Sequence, residues 1–281
     1  MGVFLGFPNR IGEATLSGGS WESTLPRANL ATERRTQVAR TTDALLASTQ
    51  VQLDFGQIRS FRGVGGINHN GPPDAQWRIT LGSTAGNDDI YDSGWIDIWQ
   101  MTFDNDLVEW EAAGWWEGIA DDEYLRAPYM MVHVLPEFTS ARYMTIEWDV
   151  TGSADGYLQI GRLFVGGGLV PEWNMDFDGS DAWTSLSTVE RADTGADVAL
   201  VRPSVRTARF DLSWLSSAEA EYWHEATRRL GATGDLMYVP DVDDPDAAQR
   251  YGFVGRLQAP SAIRYPRALT RSTTIELVEK L

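Results

Sequence analysis

The sequence predicts a mainly β protein built from two modules. An N-terminal β-sandwich of jelly-roll type covers residues 1–170, and a smaller C-terminal β-sandwich or α+β module with one helix covers residues 200–281. Three observations lead there. Short apolar–polar alternations, punctuated by Gly, Asn and Pro, fill the first half with no helical period. Arg142–Gly168 reads strand, turn, strand and then a triple glycine, where the first module ends. A single well-capped amphipathic segment follows residue 215.

The strands of the first module rest on period-2 patterning. Val51, Leu53 and Phe55 alternate with Gln52 and Asp54, and Trp77, Ile79 and Leu81 with Arg78 and Thr80. Met144, Ile146, Trp148 and Val150 alternate with Tyr143, Thr145, Glu147 and Asp149, and the Gly152–Gly156 cluster turns the chain back into Tyr157–Gly166. Gly63-Val64-Gly65-Gly66, Asn68–Pro73 and Gly86–Asp89 read as turn-rich pieces between strands. Asp104–Tyr124 is acidic, aromatic and aperiodic, which predicts a long excursion between strands.

Residues 171–199 read as a linker or extended crossing segment. Beyond it Ala208, Phe210, Leu212 and Trp214 alternate with Arg209, Asp211 and Ser213 in a strand. Ser216 with Glu219 three residues on forms a capping-box pattern; Trp223, Ala226, Thr227 and Leu230 trace one face, Arg228 and Arg229 close the last turn, and Gly231 follows as C′. Strands at Leu236–Val239, Tyr251–Leu257 and Thr273–Val278 complete a β-α-β-β-β order.

Composition excludes several functions. The chain has 281 residues and a formal net charge of −17, which disfavours nucleic acid and anionic membrane surfaces as partners. Lys280 is the single lysine, so 22 of the 23 Lys+Arg residues are arginine, a choice that suits packed interfaces and also follows from codon bias in a GC-rich genome. There is no cysteine, and no apolar run approaches the roughly 18 residues of a membrane span. The start, Met1–Gly12, lacks the basic and apolar regions of a signal peptide, and Gly6 stands where a myristoylation motif wants Ser or Thr.

No catalytic constellation is expected. His69, His133 and His224 have no partner at metal-ligand spacing, and no H-E-x-x-H or G-x-S-x-G occurs. Asp241–Asp246 fails the calcium-loop template, with Pro245 at a ligand position and Asp246 where Gly belongs. Catalytic, metal and cofactor residues are therefore expected to be absent. The candidate interaction surface is Trp110, Trp115, Trp116 and Glu117, beside Asp121 and Asp122. Such rings cap a sandwich core, anchor a protein interface or stack on sugar faces while carboxylates take the hydroxyls; all three uses fit the residues.

The chain also resembles phage and prophage tail proteins with a discoidin-like, galactose-binding-like jelly roll. The matching pieces are Gly18–Trp21 with Leu25–Leu30, Val51–Gly56, the Asn68-His69-Asn70 turn, Ala75–Ile79, Arg142–Asp149 and Gly156–Gly166. Arg206–Trp214, Leu215–Gly231, Leu236–Asp246, Tyr251–Leu257 and Ile275–Leu277 resemble the ring-forming module of distal-tail and tail-tube proteins. The resemblance implies a minor tail-tip structural protein of a long, non-contractile-tailed phage, assembled in host cytoplasm into a homo-oligomeric ring of the virion. Its implied partners are itself, neighbouring tail proteins or the host surface. Galactose-binding-like domains often hold calcium or a sugar, yet no residue here carries such a site over. The alternative is a carbohydrate-binding module for host-glycan attachment, and a third expectation, a polysaccharide depolymerase, would require sugar release.

Overall fold

The computed structural model describes residues 2–100, 130–191, 197–259, 261–267 and 269–280. After β1 (Phe4–Gly6) come β2 (Thr15–Ser17), β3 (Ala39–Arg40), β4 (Gln50–His69), β5 (Gln76–Gly82), β6 (Tyr91–Asp97), β7 (Met131–Asp149) and β8 (Gln159–Gly166). Strands β2–β8 form one antiparallel sheet in the order β3-β8-β4-β7-β5-β6, with β2 beside β4. The fold is mainly β, as the alternation predicts.

β4 and β7 are long enough to serve two layers. Their ladder runs from Gln50↔Glu147 to Gly66↔Met131, interrupted between Asp54 and Arg59 and between Phe61 and Gly63. Bulges raise local twist and bend a strand, so the sheet folds over itself. Val51 and Leu53 at one end, Val64 and Val165 at the other, and Trp77, Ile146 and Trp148 between them share one buried core. That is the predicted sandwich.

The second sheet has the order β10-β13-β16-β15-β14-β1-β9. Its strands are β9 (Gly168–Leu169), β10 (Ser180–Ser185), β13 (Ser204–Leu215), β14 (Leu236–Val239), β15 (Phe253–Leu257) and β16 (Arg271–Glu279), joined by β1. A separate pair, β11 (Thr188–Arg191) and β12 (Asp197–Leu200), lies between β10 and β13 in the chain. Helix α1 (Ser217–Leu230) covers one face: Ala220, Trp223, Ala226 and Leu230 pack with Ala208, Phe210, Leu212, Ile275 and Leu277. The capping box is present, with Glu219 N–H donating to Ser216 Oγ at 3.3 Å and Ser216 N–H to the Glu219 carboxylate at 2.8 Å.

The other face of this sheet meets the sandwich. Phe4, Met237, Val239 and Val254 pack against Ile67, Val132 and Phe164 in a third core. β8 and the adjoining halves of β4 and β7 are thus buried on both faces, which explains the nearly continuous burial of Gln159–Gly166.

Four details differ from the sequence reading. Gly63–Gly66 lies inside β4 rather than in a turn; a Cβ at Gly63 would run into the Phe4 ring, so glycine here serves close layer packing. Residues 171–199 contain β10, β11 and part of β12. β1 and β9, both within residues 1–170, hydrogen-bond into the sheet of the C-terminal module, because Leu5 and Leu169 complete its helix-side core. A second helix, α2 (Pro245–Tyr251), replaces the Asp241–Asp246 turn and the start of the strand expected at Tyr251; Asp244 caps it by accepting from Ala247 N at 3.1 Å, and Pro245 fits its first turn.

Candidate interaction site

Trp110, Trp115, Trp116 and Glu117 lie outside the described residues. Two other surfaces stand out among the described ones.

The first is a ribbon. β10 and β13 pair from Ser180↔Arg209 to Ser185↔Ser204. The ladder then steps by one residue and continues as β11 and β12, from Thr188↔Leu200 to Arg191↔Asp197. Ser187 Oγ holds the step, accepting from Arg202 N at 2.9 Å and donating to Arg202 O at 3.1 Å. An Arg191–Asp197 ion pair of 3.2 Å closes the outer end. Every residue of β10, β11 and β12 is exposed. Trp183, Leu186, Val189, Val198 and Leu200 are among them or beside them, and Val201 is 81% exposed. β11 and β12 form a two-stranded pair exposed on both faces; such a ribbon is marginal in water, and its β-branched side chains gain nothing until something covers them.

The second surface is a groove of about 820 Å³ between the segment 173–181 and β13, with Tyr238, Pro240 and Asp241 along its wall. The segment is tied down at several points. Asn174 accepts from Val3 N at 2.9 Å, Asp176 N donates to Asp211 O at 2.9 Å, and Ser213 Oγ donates to the Asp176 carboxylate. Trp173 is 63% exposed, Phe177 is fully exposed and Trp214 is half-exposed. The Arg267 guanidinium lies 4.7 Å from the centre of the Trp214 ring, and Arg209 is paired with Glu276 at 3.1 Å. Burial pushes the Tyr238 phenol well above its ordinary value, and the nearby negative charge of Asp181 adds to the rise. One wall of this groove lies within residues 171–199, which the sequence reads as a linker or extended crossing segment, and the other on the predicted strand that contains Trp214. The signal was present, since Trp173, Phe177 and Trp183 among Asp176, Asp178 and Asp181 repeat the composition that singled out residues 110–117.

The histidines sit apart from both surfaces. His69 Nδ1 accepts from Gly71 N at 3.3 Å, and burial lowers its pKa to about 4. His133 Nε2 lies 2.8 Å from Tyr91 Oη, and burial likewise lowers its pKa to about 4. Both rings are neutral at pH 7. Among the described residues no group of His, Asp and Glu is arranged to hold a metal ion.

No family model and no curated protein matches the chain. Among solved structures it is similar to a family 89 glycoside hydrolase from Clostridium perfringens, at 10% identity and TM-score 0.37, over 60% of this chain and 16% of that one. It is similar to the family 32 CBM from C. perfringens NanJ in complex with galactose, at 14% identity and TM-score 0.37, over 56% of this chain and 97% of that one. A fucose binding module of Streptococcus pneumoniae matches at 10% identity and TM-score 0.36, over 56% of this chain and 94% of that one. At these TM-scores the likenesses add nothing to an architecture that rests on the strand order itself.

Proposed function

We propose that the chain is a structural, non-enzymatic protein of a long, non-contractile phage tail. It assembles with copies of itself into a ring near the distal tail end and contacts neighbouring tail-tip proteins or the host surface. The single observation that carries this reading is the ribbon of β10–β13 extended by β11 and β12, with Trp183, Val189, Val198 and Leu200 exposed on it. A surface of this kind wants a protein partner to bury it. A contact between one patch of a subunit and a different patch of the next closes into a ring when the rotation allows. The resemblance of the ordered sequence pieces to tail proteins supports the same assembly.

The test is the mass of the purified chain by light scattering, with Val198→Asp/Leu200→Asp beside the wild type. A closed oligomer for the wild type and a folded monomer for the variant are expected. A monomeric wild type at every concentration overturns self-assembly. Cryo-electron microscopy of virions with an antibody against this chain tests the location, and a label missing from the tail end overturns it.

A second reading, a carbohydrate-binding module for host-glycan attachment, is favoured by one observation. Exposed Trp173, Phe177 and Trp214 share a groove with Asp176, Asp181 and Asp241. Binding to a glycan array tests it.

A further inference from the structure

We infer that the groove between residues 173–181 and β13 is a binding site for an uncharged glycan chain, placed on the C-terminal module rather than on the sandwich. The inference rests on the glycan reading above and assigns it a location and a ligand class.

Three features of the groove select that ligand. The first is the pair of indoles. Trp173 and Trp214 line one groove and remain 63% and 46% exposed. Arg267 stacks at 4.7 Å over Trp214. A cation on one ring face fixes the indole plane and leaves the opposite face as a flat apolar platform. Pyranose rings present a flat patch of C–H groups that such a platform covers, and a ring already held in place loses little freedom on binding.

The second feature is the ring of polar groups. Asp176, Asp181 and Asp241 line the groove with Asn174 and Arg209. Carboxylates accept hydrogen bonds from vicinal hydroxyls. Asp176 and Asp241 are positioned by the hydroxyl of Ser213 and by Gly2 N and Asp243 N, the last two at 3.2 and 3.1 Å. Their orientation is set by the fold rather than by the ligand.

The third feature is charge. Three carboxylates line the groove; among the described lining residues the one cation, Arg209, is paired with Glu276 at 3.1 Å, and the nearby Arg267 is held over the Trp214 ring. With a formal net charge of −17 over the chain, a sialylated, sulfated or phosphorylated glycan meets repulsion.

The test uses the full chain with Trp173→Ala, Trp214→Ala and the conservative Trp214→Phe. The probes are neutral oligosaccharides, including gluco-, galacto- and N-acetylhexosamine series, with sialylated and sulfated counterparts as controls. Affinity is read by calorimetry, and folding of each variant by circular dichroism. Neutral glycans are expected to bind, each alanine variant to weaken them by about tenfold or more, and Trp214→Phe to restore part of the loss. Binding unchanged in the Trp173→Ala/Trp214→Ala double variant overturns the location while leaving the glycan reading in place. Binding confined to anionic glycans overturns the ligand class. No glycan binding by the wild type overturns both. A fall in oligomer mass in the alanine variants, without glycan binding, makes the groove an interface between copies and overturns the inference.

Discussion

Arg162 of β8 and Asp235, just before β14, form a 2.6 Å ion pair in which both side chains are under one-tenth exposed. It joins the sandwich to the C-terminal sheet. Arg162 shares the outward face of β8 with Phe164, while Leu163 and Val165 turn into the sandwich core. Asp235 also takes Lys280, the only lysine of the chain, at 2.9 Å and the Asn9 amide at 3.3 Å. Arg206–Glu279 at 2.7 Å is equally buried, and Arg35 reaches from the sandwich to the Val254 carbonyl. The arginines of an acidic chain are thus spent partly on fixing one layer to another.

Removing one partner strands the other charge in a buried site, which typically costs about 3–5 kcal/mol. Asp235→Asn is therefore expected to destabilise strongly, and Arg162→Met/Asp235→Leu to recover much of the loss. Urea unfolding followed by tryptophan fluorescence checks this. A loss below about 1 kcal/mol in Asp235→Asn would show that the pair contributes little.

Gly63→Ala tests the packing of the two sheets. An added Cβ meets the Phe4 ring and the Met237 sulfur, and overpacking of this kind costs about 1–3 kcal/mol. Gly56→Ala, where a Cβ meets nothing but φ is +70°, separates crowding from backbone strain. Should Gly63→Ala unfold at the wild-type midpoint, the layers are looser than this contact implies.

Acid should weaken the fold through His69 and His133. Both stay neutral in the folded chain down to about pH 4, whereas unfolded histidine titrates near 6.5. Between those values the unfolded chain binds more protons, so stability is full above about pH 6.5 and is lost as pH falls toward 4. The loss is at most about 3 kcal/mol per histidine. Urea midpoints at several pH values, with His69→Gln/His133→Gln as reference, give the slope; an identical slope in the variant would assign it to other groups.

The helix start offers a graded test. Ser216→Ala removes one cap bond and should cost about 1 kcal/mol. Glu219→Ala should cost more, because Glu219 accepts from Ser216 N at 2.8 Å and from Glu172 N at 2.7 Å, pinning the segment after β9 to α1. Thermal melts of both variants rank them, and equal losses would mean the Glu172 contact adds nothing.

Local chemistry was legible along the chain wherever one element has one buried face. The alternation at Val51–Phe55, Trp77–Leu81 and Met144–Val150 and the cap, face and stop of Ser216–Gly231 each predicted an element that is present. Gly63–Gly66 was not legible, because a strand buried on both faces loses its alternation and uses glycine where a turn would. The groove was hidden for another reason. Trp173 and Trp214 are 41 positions apart, and it takes the β10–β13 ladder, with Asp176 N donating to Asp211 O and Ser213 Oγ to Asp176, to bring their segments side by side.

The sequence by itself determined the mainly β class, the one strong helix and the absence of thiol chemistry, since each follows from residue type and short-range period. Tertiary structure alone decided that β1 leaves its sequence neighbours to lie between β14 and β9, and that Arg162 faces Asp235. It also decided that the ribbon beyond β10 stays uncovered. Strand pairing joins Phe4 to Val239, 235 positions away, and charge pairing joins Arg162 to Asp235, 73 positions away. Their choice depends on which faces remain to be buried once the local elements exist.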